Sequence, residues 1–183
     1  MKTQIPHAEA MRLAQELAAA LRPYTTRLEI AGSLRRGKAT VGDIELVYVP
    51  RFEERQLDLL TTGQWDVADE RIGGWLMDGT LAKRPNVKGH FTWGEKNKLA
   101  LHRDGTPVDL FATTEANWFV SLVIRTGSKE TNLKLTTGAI RDGNTLNAYG
   151  RGITRADGTV VRAESEEHVF QLCGVPYLKP HQR

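Results

Sequence analysis

Two acidic residues placed one residue apart are the side chains best suited to chemistry in this sequence. Asp43 and Glu45 open an apolar run that continues to Val49 and has the composition of a β-strand. Side chains at positions i and i+2 of a strand point to the same face, so we expect both carboxylates on one side of a sheet. Carboxylate oxygens are preferred ligands of Mg²⁺ and Mn²⁺. The pair therefore predicts a site for a divalent cation.

A third acid, Asp109, lies inside the apolar segment from Val108 to Phe111. An acid in such a segment is costly unless it is paired, exposed at an edge or bound to a metal. A salt bridge would explain Asp109 taken alone, but beside Asp43 and Glu45 we predict a third metal ligand. Two ions held by three carboxylates can promote in-line phosphoryl transfer, one activating the attacking hydroxyl and the other carrying a triphosphate.

A glycine turn precedes the acid pair and carries groups that bind phosphate. We expect the backbone amides of Gly32 and Ser33, the Ser33 hydroxyl and the Arg36 guanidinium to neutralise the β- and γ-phosphates of a nucleoside triphosphate. Arginine offers phosphate a bidentate fork that lysine does not. The predicted cofactors are thus two Mg²⁺ ions, with Mn²⁺ as a substitute.

Composition excludes several other classes of protein. The chain has 183 residues, 40% of them hydrophobic, and a formal net charge of +3, which permits an anionic partner without identifying one. Its one cysteine excludes an internal disulfide, and no Cys/His cluster has zinc-finger spacing. No apolar run approaches the roughly 20 residues that span a bilayer. We expect a cytoplasmic protein, in the host cytoplasm if the source is viral.

Hydrophobic spacing and turn residues predict the order of elements. We predict helices over residues 8–21, 65–77, 115–125, 129–140 and 165–173, strands over 27–31 and 43–49, a loop over 34–41, a helix or exposed connection over 51–62, a hairpin of 90–101 with 107–111, and a strand pair over 154–161. A soft boundary near Thr113 divides a sheet-rich first part from a helix-rich second part.

Two basic stretches have alternative interpretations. The loop over residues 79–89 carries Lys83, Arg84 and Lys88, which are equally consistent with a solvated surface and with phosphate contacts. The four tryptophans are favoured as packing residues, with a stacking contact between Trp93, beside Lys96 and Lys98, and a nucleic acid strand as the alternative.

These motifs resemble the nucleotidyltransferase superfamily, and specifically DNA polymerase family X, along nearly the whole chain. Residues 32–37 (Gly-Ser-Leu-Arg-Arg-Gly) and 42–45 (Gly-Asp-Ile-Glu) match the palm signature of that family at its spacing. Residues 108–110 are similar to the strand that bears its third catalytic acid. Residues 126–132 (Thr-Gly-Ser-Lys-Glu-Thr-Asn) resemble its nucleotide-binding thumb motif, and residues 166–180 its closing helix and tail.

The resemblance implies an α+β fold in a minimal palm–thumb form. Residues 1–113 would be a palm of mixed β-sheet with flanking helices, and residues 114–183 a small α/β thumb. The implied catalytic metal ligands are Asp43, Glu45 and Asp109. The implied nucleotide-binding residues, with Asn132 at the base or sugar edge, are Gly32, Ser33, Arg36, Gly42, Gly127, Ser128 and Asn132.

The sequence departs from the family pattern at several positions. Glu45 replaces the usual aspartate, and Ile124-Arg125 replaces an aromatic pair that helps to exclude the ribose 2′-hydroxyl. Gln4 stands where the family often has a phosphate-binding arginine. We also expect no lyase domain and no helix-hairpin-helix module ahead of the palm.

The leading functional hypothesis is a monomeric DNA-directed DNA polymerase. It would add dNMP to a primer 3′-hydroxyl of gapped or primer-template DNA, release pyrophosphate and fill short gaps during repair. One alternative is a template-independent nucleotidyltransferase acting on RNA ends, a protein or a small molecule. Another is a non-catalytic nucleic-acid-binding module. No membrane partner is expected.

Overall fold

A computed structural model describes residues 4–56, 58 and 60–183 and confirms the α+β class. The strands, β1 to β12 in chain order, are Ile5–Pro6, Thr25–Ile30, Thr40–Val41, Ile44–Pro50, Phe52–Gln56, Thr62–Asp66, Leu81–Lys83, Asn97–His102, Pro107–Ala112, Thr145–Asn147, Gly152–Thr154 and Val160–Val161. The helices, α1 to α6, are His7–Leu21, Gly32–Arg35, Val67–Met77, Trp118–Thr126, Lys129–Arg141 and Glu166–Leu172. In the described part of the chain, no helix is both long and apolar enough to cross a membrane.

The central sheet has five strands in the order β2-β4-β9-β8-β7. Strands β4 and β9 are parallel, whereas the other neighbours in the sheet pair antiparallel. The parallel register places Glu45 opposite Asp109 and Val47 opposite Phe111. Two segments far apart in sequence are thereby brought side by side.

The first face of the sheet is covered by α1 and α3. Ile44, Leu46 and Tyr48 alternate along β4 and point to this face, where each is at most 1% exposed. The amphipathic spacing of α1 supplies Leu13 and Leu17 to the same core. This continuous apolar layer fixes the register of β4, because a shift by one residue would turn the acids into the core.

The second face of the sheet is covered by α4. Val47 and Phe111 pack there against Trp118 and Leu122 of that helix. Glu45 and Asp109 precede Val47 and Phe111 by two residues, so strand alternation places both acids on this same face. The second part of the chain therefore covers the sheet next to the predicted site.

Helices α4, α5 and α6 enclose a second core with the small sheet β10-β11-β12. Val123, Leu135 and Phe170 are each fully buried in it. At Gly138 of α5, an added Cβ would lie 2.1 Å from the carbonyl oxygen of Cys173, so this glycine allows α5 and the end of α6 to approach closely. The division into residues 1–113 and 114–183 stays a prediction.

The helix or exposed connection predicted over residues 51–62 is wrong where the structure describes that segment. Instead, β5 pairs antiparallel with β6, and exposure alternates along β5 as it does in a half-exposed strand. Arg55 of β5 forms a bidentate ion pair with Glu70 of α3. The spacing of charges within either segment does not predict this contact between two elements. Residues 57 and 59 lie outside the described part of the chain.

The loop predicted over residues 34–41 is also incorrect in detail. The chain forms the single-turn helix α2 at Gly32–Arg35 and then β3, which pairs with β1. The carbonyl of Ala39 accepts a hydrogen bond from the amide of His7, so the start of the chain holds this segment in place. Such a long-range strand pair leaves no local signal in the sequence.

Candidate active site

The three predicted acids lie close enough to interact electrostatically, with Glu45 and Asp109 opposite each other on β4 and β9 and Asp43 directly before β4. Burial, together with the neighbouring carboxylates of Asp43 and Asp109, raises the pKa of Glu45 to about 8. Burial also raises the pKa of Asp109 to about 6, in spite of the opposing charge of Arg84. The fold thus concentrates negative charge in a partly desolvated place, where a cation would relieve the repulsion.

The three carboxylates suit a hard divalent cation in their chemistry, but the Asp109 side chain is directed to a protein partner. Asp109 Oδ1 accepts a hydrogen bond of 2.5 Å from Arg84 Nη2. Among the described residues, no three acidic, histidine or cysteine side chains converge closely enough to hold a metal ion. A metal ion bound by Asp109 would therefore share this carboxylate with Arg84 or replace Arg84 there.

Gly32 and Glu45 approach each other too closely for any other residue to replace the glycine without movement. Gly32 has a φ of +64°, and a Cβ added there would lie 1.9 Å from Glu45 Oε2. The Glu45 carboxylate thus lies directly against the glycine turn that the sequence predicts to bind phosphate. Ser33 follows in the first turn of α2, and Gly42 precedes Asp43 between β3 and β4.

Arg36 lies between the glycine turn and the start of the thumb motif. Its Nη1 donates a hydrogen bond to the carbonyl oxygen of Thr126, and a Cβ at Gly127 would lie 3.1 Å from the same nitrogen. Within the described structure its buried Nε has no hydrogen-bond partner. This guanidinium can therefore donate a further hydrogen bond at the junction between the two parts of the chain.

The other residues of the predicted thumb site shape the junction between α4 and α5. Ser128 caps α5, its Oγ accepting a hydrogen bond of 3.4 Å from the Thr131 amide. Asn132 Nδ2 donates to the carbonyl oxygen of Ile124 at 2.8 Å, while its buried Oδ1 has no partner among the described residues. The structure brings Gly127 beside Arg36. The roles of these residues in nucleotide binding stay predictions.

A buried charge network that sequence reasoning missed joins α2 to α6. Arg35 Nη2 and Nη1 donate to the two carboxylate oxygens of Glu166 at 2.6 and 3.0 Å, and Arg183 Nη2 donates to Glu166 at 2.8 Å. Burial alone would raise the pKa of Glu166, but these hydrogen bonds outweigh it and lower the pKa. In the sequence Glu166 has the appearance of an ordinary first-turn acid.

Two basic residues proved to have other roles than those considered from sequence. Arg84, treated as a surface or phosphate-binding residue, is the ion-pair partner of Asp109. Lys98, considered with Trp93 as an alternative contact for nucleic acid, is only 3% exposed and pairs with Asp69 at 2.6 Å, so that alternative is wrong for Lys98. Buried and less buried residues alternate along β8, where Ala100 is also buried. This alternation could have indicated from the sequence that Lys98 lies on the buried face.

A separate cavity of about 790 Å³ lies at the carboxyl ends of β4 and β9. Pro50, Ala112 and Tyr149 are among its lining residues, which include none of the predicted site residues. The acids lie near the opposite ends of these strands, so this cavity is not the predicted site.

Comparisons with known proteins find similarity to DNA polymerases. A family model described as DNA polymerase beta thumb matches residues 121–183. The chain is 27% identical to the DNA polymerase/3′-5′ exonuclease PolX of Bacillus subtilis over 184 residues, covering 98% of this chain and 28% of that protein. It is 22% identical to DNA polymerase lambda of Rattus norvegicus over 191 residues, covering 98% of this chain and 33% of that protein.

A solved structure shares the fold. The polymerase beta of Leishmania infantum, in a ternary gap complex, matches with a TM-score of 0.78 and 19% identity, covering 99% of this chain and 71% of that chain. The present chain spans about a third or less of the length of the two curated relatives. The similarity extends through both the sheet that carries the acids and the helices that follow it.

Proposed function

We propose that this chain, which is a family X polymerase-like protein, is a metal-dependent nucleotidyltransferase, and specifically a DNA-directed DNA polymerase. The observation that carries the proposal is the register of β4 and β9, which places Glu45 opposite Asp109, with Asp43 two residues before Glu45. Such a carboxylate set, beside a glycine turn, suits the transfer of a nucleotide to a hydroxyl with release of pyrophosphate.

In this proposal the three acids hold two Mg²⁺ or Mn²⁺ ions. When bound, these ions would polarise the attacking 3′-hydroxyl and neutralise the triphosphate. The chain itself would orient the substrate. The backbone at Gly32 and Ser33 would accept the terminal phosphates, because amides of a tight turn form an anion-binding concavity.

Arg36 would bind the triphosphate by changing its partner. Its contact with the Thr126 carbonyl is a neutral one, whereas a phosphate oxygen offers a charge-assisted hydrogen bond that is roughly twice as strong. The buried Oδ1 of Asn132, which has no partner in the described part of the chain, would accept a hydrogen bond from the base or sugar. Arg36 and Asn132 would thus bind the two ends of the nucleotide at the palm–thumb junction.

A template-independent nucleotidyltransferase is the second candidate function. It is favoured by Arg125, a polar residue at the position of the aromatic gate against ribose. With that gate replaced, ribonucleotides and acceptors other than DNA become reasonable substrates.

Primer extension distinguishes the two candidates. A labelled primer is offered on gapped DNA and as a single strand, with dNTPs or rNTPs and with Mg²⁺ or Mn²⁺. The polymerase proposal predicts addition of the templated nucleotide on gapped DNA only. Addition to the single strand, or addition regardless of the template base, would favour the second candidate. Absence of addition to either DNA acceptor would contradict the polymerase proposal.

A further inference from the structure

Arg125 lies in the last turn of α4, on the sheet face that carries the acids. Its guanidinium carbon is 3.7 Å from the ring centroid of Phe111, which follows Asp109 by two residues on β9. Because side chains two residues apart on a strand share a face, the stacked guanidinium lies on the same side of the sheet as Asp109 and its neighbour Glu45.

A second aromatic ring and a polar contact fix this position. The ring of Tyr149, in the turn between β10 and β11, lies 4.5 Å from the Arg125 guanidinium carbon. Tyr149 is itself tied to the first part of the chain, because its carbonyl oxygen accepts a hydrogen bond of 2.8 Å from Lys96 Nζ. Stacking on two aromatic faces favours arginine and restrains its side chain.

The charge of Arg125 acts on the acids without a direct pair. Among the described residues it forms no ion pair, in contrast to Arg84, which pairs with Asp109 at 2.5 Å. Burial raises the pKa values of Glu45 and Asp109, and the charge of Arg125 opposes both shifts. Arg84 is held by Asp109 and by the carbonyl oxygen of Ala100 at 3.3 Å, whereas Arg125 is held by two aromatic rings and by neither acid.

We propose that Arg125 is a positioning residue that makes metal binding at the acids depend on the nucleotide. This inference rests on the proposed function. A divalent cation that approaches Glu45 and Asp109 alone meets the fixed positive charge of Arg125, which weakens its binding. A triphosphate brings negative charge with the ion and offsets that repulsion. The thumb helix would thereby suppress metal binding until the substrate is present.

Manganese titration, followed by electron paramagnetic resonance of free Mn²⁺, tests this inference at pH 7.5. Arg125→Met is compared with wild type, with Arg125→Lys, which keeps the charge, and with Arg71→Met, a matched loss of an arginine that stacks on Trp75 at 5.0 Å. Each protein is titrated alone and with a non-hydrolysable deoxynucleoside triphosphate. Circular dichroism checks the fold, and Arg125→Gln replaces the methionine variant if that variant is unfolded.

Without nucleotide, we expect Arg125→Met to bind Mn²⁺ about tenfold more tightly than wild type, and the other two variants to match wild type. With nucleotide, the difference should shrink to about twofold. Equal or weaker binding by Arg125→Met, or the same ratio with and without nucleotide, would overturn the inference alone. If Asp109→Asn leaves the binding of Mn²⁺ to the wild-type chain unaltered, the acids are not the metal site, and the proposed function fails as well.

Discussion

Arg35 and Glu166, which are 131 positions apart in the chain, form a bidentate ion pair at 2.6 and 3.0 Å. Arg35 comes directly before Arg36 at the end of the glycine turn, and Glu166 opens the last helix. Both side chains are largely buried, with exposures of 22% and 13%. The pair therefore ties the predicted phosphate-binding turn to the thumb.

Glu166→Gln is expected to lower the free energy of unfolding by about 2–3 kcal/mol. The neutral amide of glutamine cannot balance the charges of Arg35 and Arg183, and a partly buried charge that loses its partner is costly. Urea unfolding measures the change. Glu167→Gln is the matched control, because Glu167 is an exposed acid in the same helical turn and its loss should change stability by less than about 0.5 kcal/mol. Equal effects of the two variants would contradict the assignment.

The contribution of Glu166 should also depend on pH. Its folded-state pKa is below the ordinary value of about 4.5, so its stabilising effect is complete above that pH and is lost as pH falls through the folded-state pKa. The difference in unfolding free energy between wild type and Glu166→Gln should therefore be constant from pH 7 to 5.5 and shrink below pH 4.5. Urea titrations across this range test the direction. A difference that grows on acidification would refute it.

Replacing Gly32 by alanine should damage the site more than the fold. Gly32 and Gly37 both have positive φ, so alanine at either position should cost about 1–2 kcal/mol in unfolding free energy. Only at Gly32 would the new Cβ meet Glu45, since no atom lies within 4 Å of a Cβ at Gly37. We expect nucleotidyl transfer to fall roughly tenfold to a hundredfold in Gly32→Ala but not in Gly37→Ala. Matching rates in the two variants would show that Glu45 does not depend on this contact.

Cys173 should report unfolding of the thumb core. Its thiol is 0% exposed, and burial, together with the nearby charge of Asp142, raises its pKa to about 11. At pH 8 the native protein should react with a disulfide reagent more than about 100 times more slowly than the urea-unfolded chain. Because this is the one cysteine of the sequence, the signal has a single source. Rapid reaction of the folded protein would contradict the packing of α5 against α6.

Local patterns were sufficient for the main elements of the fold. The helix predicted over residues 8–21 is observed at His7–Leu21, because apolar spacing marks its buried face and Pro23 ends the pattern. The strand predicted from composition over residues 43–49 is observed at Ile44–Pro50, so it carries Glu45 but begins just after Asp43. The parallel register of β4 and β9 places Glu45 opposite Asp109. The loop predicted over residues 34–41 was wrong because β3 depends on β1, which is distant in sequence. The prediction for residues 51–62 was wrong because this segment forms a hairpin with the residues that directly follow it.

The surroundings of the site were less accessible from sequence. A strand pattern shows that Asp109 shares a face with Phe111, but not that Arg125 of a later helix covers that face. Likewise, Arg84 and Asp109 are 25 positions apart and nothing local links them. Ion pairs of this kind follow from how elements pack, and packing is not encoded in the periodicity of any one segment.

The most direct measurement of the central claim is single-turnover primer extension on gapped DNA with Mg²⁺. We compare wild type with Asp43→Asn and with Asp157→Asn, the same chemical change at an exposed turn. If Asp43 is a catalytic residue of a DNA polymerase, we expect templated extension by wild type and Asp157→Asn, and a rate at least about 100-fold lower for Asp43→Asn. Extension by Asp43→Asn at the wild-type rate, or none by wild type, would contradict it.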